Sequence, residues 1–152
     1  MGCDIHAFVE TRTGDTWKYA GDAFPDNEYP DDRHCPFDGA RSYGLFGFLA
    51  DVRNYSRVPV ISPPRDLPAD VSPEVRAKSD RWDTDGHSHT WLTLAELVGF
   101  DYEQTFFDQR AKEEPEVTTV RDFLGEWYFG RLALLSKLGA PENVRIVFWF
   151  DS

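Results

Sequence analysis

The closing run Val144-Arg-Ile-Val-Phe-Trp-Phe-Asp151 constrains the fold more than any other stretch of the chain. Apart from Arg145 and Asp151 it is wholly apolar. A strand without alternation needs cover on both faces, and at a sheet edge one this apolar would invite aggregation. It is therefore expected at the centre of a sheet. Its expected neighbour is the opening segment Cys3–Glu10, a pairing that would bring Asp151 towards Asp4 and His6. In that opening segment the period of two puts Cys3, Ile5, Ala7 and Val9 on one face and Asp4, His6, Phe8 and Glu10 on the other. Asp4 and His6 would then point the same way, about 6–7 Å apart, close enough to share a metal, a substrate or a proton. Burying such groups unpartnered is costly, so that face is read as either solvated or a site.

Between these two strands the chain reads as one domain, 1–152. Thr13-Gly14-Asp15 is turn chemistry joining the first strand to Thr16–Ala20 as a hairpin. Gly21–Ala40, rich in Asp, Pro and Gly, is expected to be a loop insertion, as is Asp101–Val117. Tyr43–Val52 is apolar at helical spacing with Ser42 as N-cap, and its two glycines imply close packing or a nearby ligand. Four prolines make Val58–Val71 an extended connector. Ser72-Pro73-Glu74 opens a short helix ending near Trp82, and a polar loop of Asp, Gly, His and Ser follows it. Thr93-Leu-Ala-Glu96 is a capping box. The main helix is expected from about Thr118 to Leu138, with Val120, Phe123, Leu124, Trp127, Leu134, Leu135 and Leu138 inward and Gly139 as its stop. The fold class is α+β: an antiparallel sheet containing both termini, packed by a long C-terminal helix and shorter helices.

The chain has 152 residues, with 27 acids against 16 bases, a net charge of −11. Such a charge disfavours long-range attraction to DNA, RNA or an anionic membrane, and no apolar run reaches the length of a membrane span. Residues 33–66 reverse the sign, with Arg33, Arg41, Arg53, Arg57 and Arg65 against Asp38, Asp51 and Asp66. Arginine throughout suits planar recognition of phosphate or carboxylate, although surface ion pairing would use the same residues. Two cysteines and no evident signal peptide lead to free thiols in the cytoplasm as the expectation, and His at position 6 argues against N-terminal lipidation.

A second acid–imidazole stretch, Asp83–Trp91, contains His87-Ser88-His89. On an extended segment the two histidines would face the same way, as two ligands of one divalent metal or two imidazoles flanking a phosphate. Asp4, His6, His87 and His89 are the candidate catalytic residues and the candidate ligands of a divalent metal. Arg41, Tyr43, Arg53, Asn54, Arg65, Ser88 and Trp91 are the candidate ligand-binding residues, with Arg53 and Arg65 as phosphate clamps and Tyr43 and Trp91 as stacking faces. The competing reading gives these residues to core packing and backbone hydrogen bonds. No Walker loop, dinucleotide fingerprint, nucleophile elbow or CxxC pair is present.

The segments MGCDIHAFVE, GLFGFLADVRN, PPRDLPADVSPEVR, DGHSHTWLTLAEL and VRIVFWFDS resemble a group of short, uncharacterised proteins encoded by bacteriophages and prophages. The resemblance covers most of the chain and skips Gly21–Ala40 and Asp101–Glu116. Membership would place the protein in the cytoplasm of an infected bacterial host, among accessory proteins that include counter-defence factors. The leading expectation is recognition and hydrolysis of a phosphorylated small molecule, a nucleotide immune signal. The alternatives are a non-catalytic homo-oligomeric sponge for such a signal and an acidic inhibitor that binds a host or defence protein.

Overall fold

Hydrophobic alternation and turn chemistry build the first element of the computed structural model, which describes residues 2–110 and 116–152. Strand β1 (Asp4–Thr13) turns through Gly14-Asp15 into β2 (Thr16–Tyr19), with Gly14 at φ 67°. The central sheet is completed by β3 (Gly86–Thr93) and β6 (Val144–Asp151), in the antiparallel order β2–β1–β6–β3. The apolar closing strand is thus internal, flanked by the opening strand in the register Asp4↔Asp151 and by β3 in the register Gly86↔Asp151. A second, two-stranded sheet pairs β4 (Thr105–Phe107) with β5 (Val117–Thr119).

Four helices cover the central sheet: α1 (Tyr43–Ala50), α2 (Pro73–Trp82), α3 (Leu94–Gly99) and α4 (Val120–Leu135). One face of the sheet carries Ile5, Ala7, Val9, Leu92, Val144, Ile146, Phe148 and Phe150 and packs against α1, α3 and α4. Full burial of each large apolar side chain there contributes roughly 1.5–3 kcal/mol. The other face carries Phe8, Val147 and Trp149 under Val75 and Trp82 of α2 and the connector residues Leu67 and Val71. The caps follow the sequence: Ser42, Ser72 and Thr93 each accept from a backbone N–H in the first turn, and Thr93/Glu96 closes a full capping box.

Four expectations are corrected. The polar loop after α2 holds a turn of 3₁₀ helix at Asp83–Asp85 and then enters β3, because Gly86–Thr93 completes the cover that β6 needs. The main helix is broken at Gly125 (φ 81°, ψ 172°), which resets its phase; Tyr128, Leu132 and Leu135 then face inward, and Trp127 (46 % exposed) and Leu134 face out. The segment Gly21–Ala40 is irregular but lends Phe24, Cys35 and Phe37 to the core, and Arg131 of α4 holds it by bonds to the Pro36 carbonyl (2.5 Å) and Asn27 Oδ1 (2.7 Å). Within 101–117, Tyr102 is buried with its hydroxyl 2.7 Å from that of Tyr128, so its start is also core; residues 111–115 lie outside the described residues. The two glycines of α1 are there for packing: a Cβ on Gly44 would stand 2.8 Å from Phe123, and one on Gly47 2.6 Å from the Asn54 side chain.

Candidate functional site

Two rows of stacked rings and cations cross the strands on the α2 face. In the first, Arg12, Trp17, Arg145, Trp91 and Arg65 alternate, with guanidinium carbons 4.8, 4.1, 5.7 and 5.0 Å from successive ring centroids. In the second, His34, Phe8, Trp149 and His89 stack at 4.7, 5.0 and 5.6 Å. Burial pushes the imidazoles of both end residues, His34 and His89, below the ordinary histidine range.

Arg145 is the anchor of the first row. It sits within the apolar strand at 2 % exposure, opposite Glu10, which is fully buried, with Nε 2.7 Å from Glu10 Oε1. The other carboxylate oxygen of Glu10 accepts from the Ser72 N–H (2.7 Å), and Arg145 Nη1 reaches Asp70 Oδ1 (2.9 Å). The pair therefore ties β1 and β6 to the connector and to the start of α2. Beside it lies a cleft of about 670 Å³ lined by Arg12, Trp17, Arg65, Asp70, Trp91 and Arg145 among others.

The four candidate catalytic residues do not gather. Asp4 is clasped by Arg41, with both carboxylate oxygens at 2.7 Å, and this lowers its pKa. His6 Nε2 stands 2.8 Å from Asp151 Oδ2, while Asp151 Oδ1 accepts from the Asp4 N–H (3.2 Å), and the imidazole lies 4.1 Å from the Trp82 ring. His87 and His89 point to opposite faces, which corrects the expectation that they align. A bulge is the reason: Ser88 and His89 both stand against Trp149, with Ser88 at φ 57°, so the alternation slips by one residue. His87 stacks on Phe150 and contacts Ser88 Oγ (3.0 Å) and Ser152 Oγ (3.1 Å) on the far face. His6 and His89 share the α2 face, on either side of Trp149. Among the described residues no three His, Cys, Asp or Glu side chains gather to hold a metal ion, so these four do not form a ligand set.

The candidate ligand-binding residues divide into two groups. Arg41, Tyr43 and Arg53 lie together near the N-terminus: the Tyr43 hydroxyl accepts from the Cys3 N–H (3.2 Å), and Arg53 lies over the Tyr43 ring and donates to Tyr55 Oη (3.4 Å). Asn54 is structural, because its amide brackets the backbone of Val58 from both sides at 3.0 Å. Arg65 is engaged by both oxygens of Glu96, lowering the Glu96 pKa, and donates to the Trp91 carbonyl (3.2 Å). Its guanidinium also lies over the Trp91 ring (5.0 Å), and its donors are held by Ser62, Glu96 and the Trp91 carbonyl. Ser88 bonds only its neighbour His87 among the described residues.

Arg12, Trp17, Arg145 and His34 of these rows, and Glu10, the partner of Arg145, are not among the candidate site residues that the sequence pointed to. A lone cation within an otherwise apolar central strand was the available signal for Arg145, since a buried charge requires a partner. Glu10, on the polar face of the expected neighbouring strand, was the matching clue. In comparisons with known proteins, no family model, no curated protein and no solved structure matches the chain.

Proposed function

We propose that this chain binds a small, planar, phosphorylated molecule of nucleotide type in the Arg–Trp cleft, and holds it without turnover. One observation carries the reading: three guanidinium groups alternate with two indoles along a single cleft, in a chain of net charge −11. A cleft of about 670 Å³ lies within the size range of small-molecule sites. Trp91, only half-buried, offers a surface for a base to stack on. Arg12 donates through Nε and Nη2 to Asn143 and the Glu142 carbonyl, and its Nη1 makes no hydrogen bond among the described residues, which leaves a donor for a phosphate oxygen. Turnover is left out because no imidazole lines this cleft. His6 pairs with Trp149, four residues along β6 from Arg145, or about 13 Å at the rise of a strand.

In the phage setting that the resemblance implies, such binding would sequester a nucleotide signal. Titration calorimetry with a panel of linear and cyclic nucleotides, followed by mass spectrometry of the mixtures, tests the reading. Saturable binding is expected, at least tenfold weaker in Arg12→Gln and in Trp91→Ala, with the ligand recovered intact. A hydrolysed product would instead favour the second reading, in which the His6–Asp151 pair acts as general base through Nδ1 of the imidazole. If no nucleotide binds, the ligand-binding reading falls and the acidic surface becomes the place to look for a protein partner.

A further inference from the structure

Of the three guanidiniums in the Arg–Trp cleft, two are fully engaged by the protein. Arg145 is buried, and its donors go to Glu10, to Asp70 Oδ1 and to the Asp70 carbonyl. Arg65 gives its donors to Ser62 Oγ, the Trp91 carbonyl and both oxygens of Glu96. Arg12 differs from both. Its bonds go to neutral acceptors, Asn143 Oδ1 and the Glu142 carbonyl, each at 3.2 Å. Among the described residues no carboxylate lies within ion-pair distance of it. The cleft therefore offers an anion one cation, through Arg12 Nη1.

Carboxylates limit how much negative charge that cation can hold. Glu10 and Asp70 already pair with Arg145, and Glu96 with Arg65. Glu142, exposed on the cleft wall, has no cationic partner among the described residues. Asp70, also exposed, lines the same wall. Within this group carboxylates outnumber guanidiniums by one. An incoming anion is attracted by Arg12 and repelled by Glu142 and Asp70, so each charge beyond the first is unfavourable. A phosphodiester carries a single negative charge, whereas a phosphate monoester carries about 1.5 to 2 at neutral pH and a triphosphate carries more. On the nucleotide-binding reading above, on which this rests, we infer that the cleft selects nucleotides whose phosphate is a diester, such as a 3′,5′-cyclic mononucleotide, over the monoester and triphosphate of the same nucleoside.

Titration calorimetry of the full chain at low salt, where charge effects are least screened, is the test. For each common base the probes are the bare nucleoside, its 3′,5′-cyclic monophosphate, its 5′-monophosphate, the methyl ester of that monophosphate, and its triphosphate. The methyl ester is a diester without the ring, so it separates charge from ring shape. For the base that binds best, both diesters should bind about tenfold or more tightly than the monoester, and the triphosphate should bind most weakly of the phosphorylated forms. Arg12→Gln should reduce either diester to the affinity of the bare nucleoside. Glu142→Gln, a change at an exposed side chain, should narrow the preference for diesters several-fold, because it removes a repelling charge. A monoester or triphosphate as tight as the diesters, a methyl ester as weak as the monoester, a diester advantage surviving in Arg12→Gln, or a preference unchanged in Glu142→Gln would each overturn the diester selectivity and leave nucleotide binding standing. If no nucleotide binds, both fall together.

Discussion

Replacing Arg145 by methionine would strand the Glu10 carboxylate, which is fully buried and, among the described residues, otherwise held only by the Ser72 N–H. Loss of one partner of a buried pair costs about 3–5 kcal/mol, whereas replacing both by apolar groups is often near neutral. Arg145→Met is therefore expected to lower the urea midpoint steeply, and Glu10→Leu/Arg145→Met to recover most of the loss. The two arginines named as phosphate clamps should separate in the same assay. Arg65 braces Glu96 and the Trp91 carbonyl, so Arg65→Ala should destabilise by about 1–3 kcal/mol. The Arg53 guanidinium lies over the Tyr43 ring and makes one long hydrogen bond, to the Tyr55 hydroxyl, and Arg53→Ala should stay within about 0.5 kcal/mol of the parent. The histidines His34 and His89 carry a pH signature. Their folded pKa values lie below the unfolded value of 6.5, so the unfolded chain takes up protons that the folded chain refuses. Their contribution is complete above about pH 6.5 and is lost as pH falls through the lower folded values. The melting temperature should drop between pH 7.5 and 5.5, and by less in His34→Phe/His89→Phe. Asp4 and Glu96, shifted downward by Arg41 and Arg65, keep their contributions through that window and lose them only in stronger acid.

Among the elements, α4 offers the cleanest separation of backbone from packing. A Cβ at Gly125 would meet open space, so the cost of Gly125→Ala comes from φ 81° alone. It should amount to about 1–3 kcal/mol by thermal or urea unfolding, because φ 81° with ψ 172° is a region open essentially to glycine alone. The same residue explains a gap in what the sequence discloses. Apolar periodicity places a helix over this region correctly, but a glycine inside a helical pattern does not announce whether it kinks, and the inward assignment of Trp127 and Leu134 depended on an unbroken phase. The bulge at Ser88 hides in the same way: one residue out of step turns His87 and His89 to opposite faces, and the nearest glycine, Gly86, stands at the start of the strand and not at the slip. Features governed by local chemistry were legible: the Gly14 turn, the caps at Ser42, Ser72 and Thr93, and the central position of Val144–Asp151. The site rows were not, because Arg12, Trp17, Arg145, Trp91 and Arg65 come from four separate parts of the chain and meet only through sheet order.

For the molecule as a whole, the layout divides labour between the two faces of one sheet. The α1/α3/α4 face holds the aliphatic and phenyl core, and the α2 face holds the charged and indole-rich rows with the proposed Arg–Trp binding cleft. None of the helices among the described residues is long and apolar enough to cross a membrane. The central strand also has a consequence for how the protein is made. Residues 144–151 are the shared neighbour of β1 and β3, and neither of those touches the other without them. While a nascent chain is short of this segment, the hairpin of β1 and β2 waits with one long edge open, and the pair Asp4 and Asp151 that must meet lies 147 residues apart. Folding must therefore follow the emergence of Val144–Asp151 from the ribosome. Ribosome-stalled chains ending near residue 143 should be digested rapidly by protease, and chains long enough to expose residue 151 outside the exit tunnel should abruptly resist it.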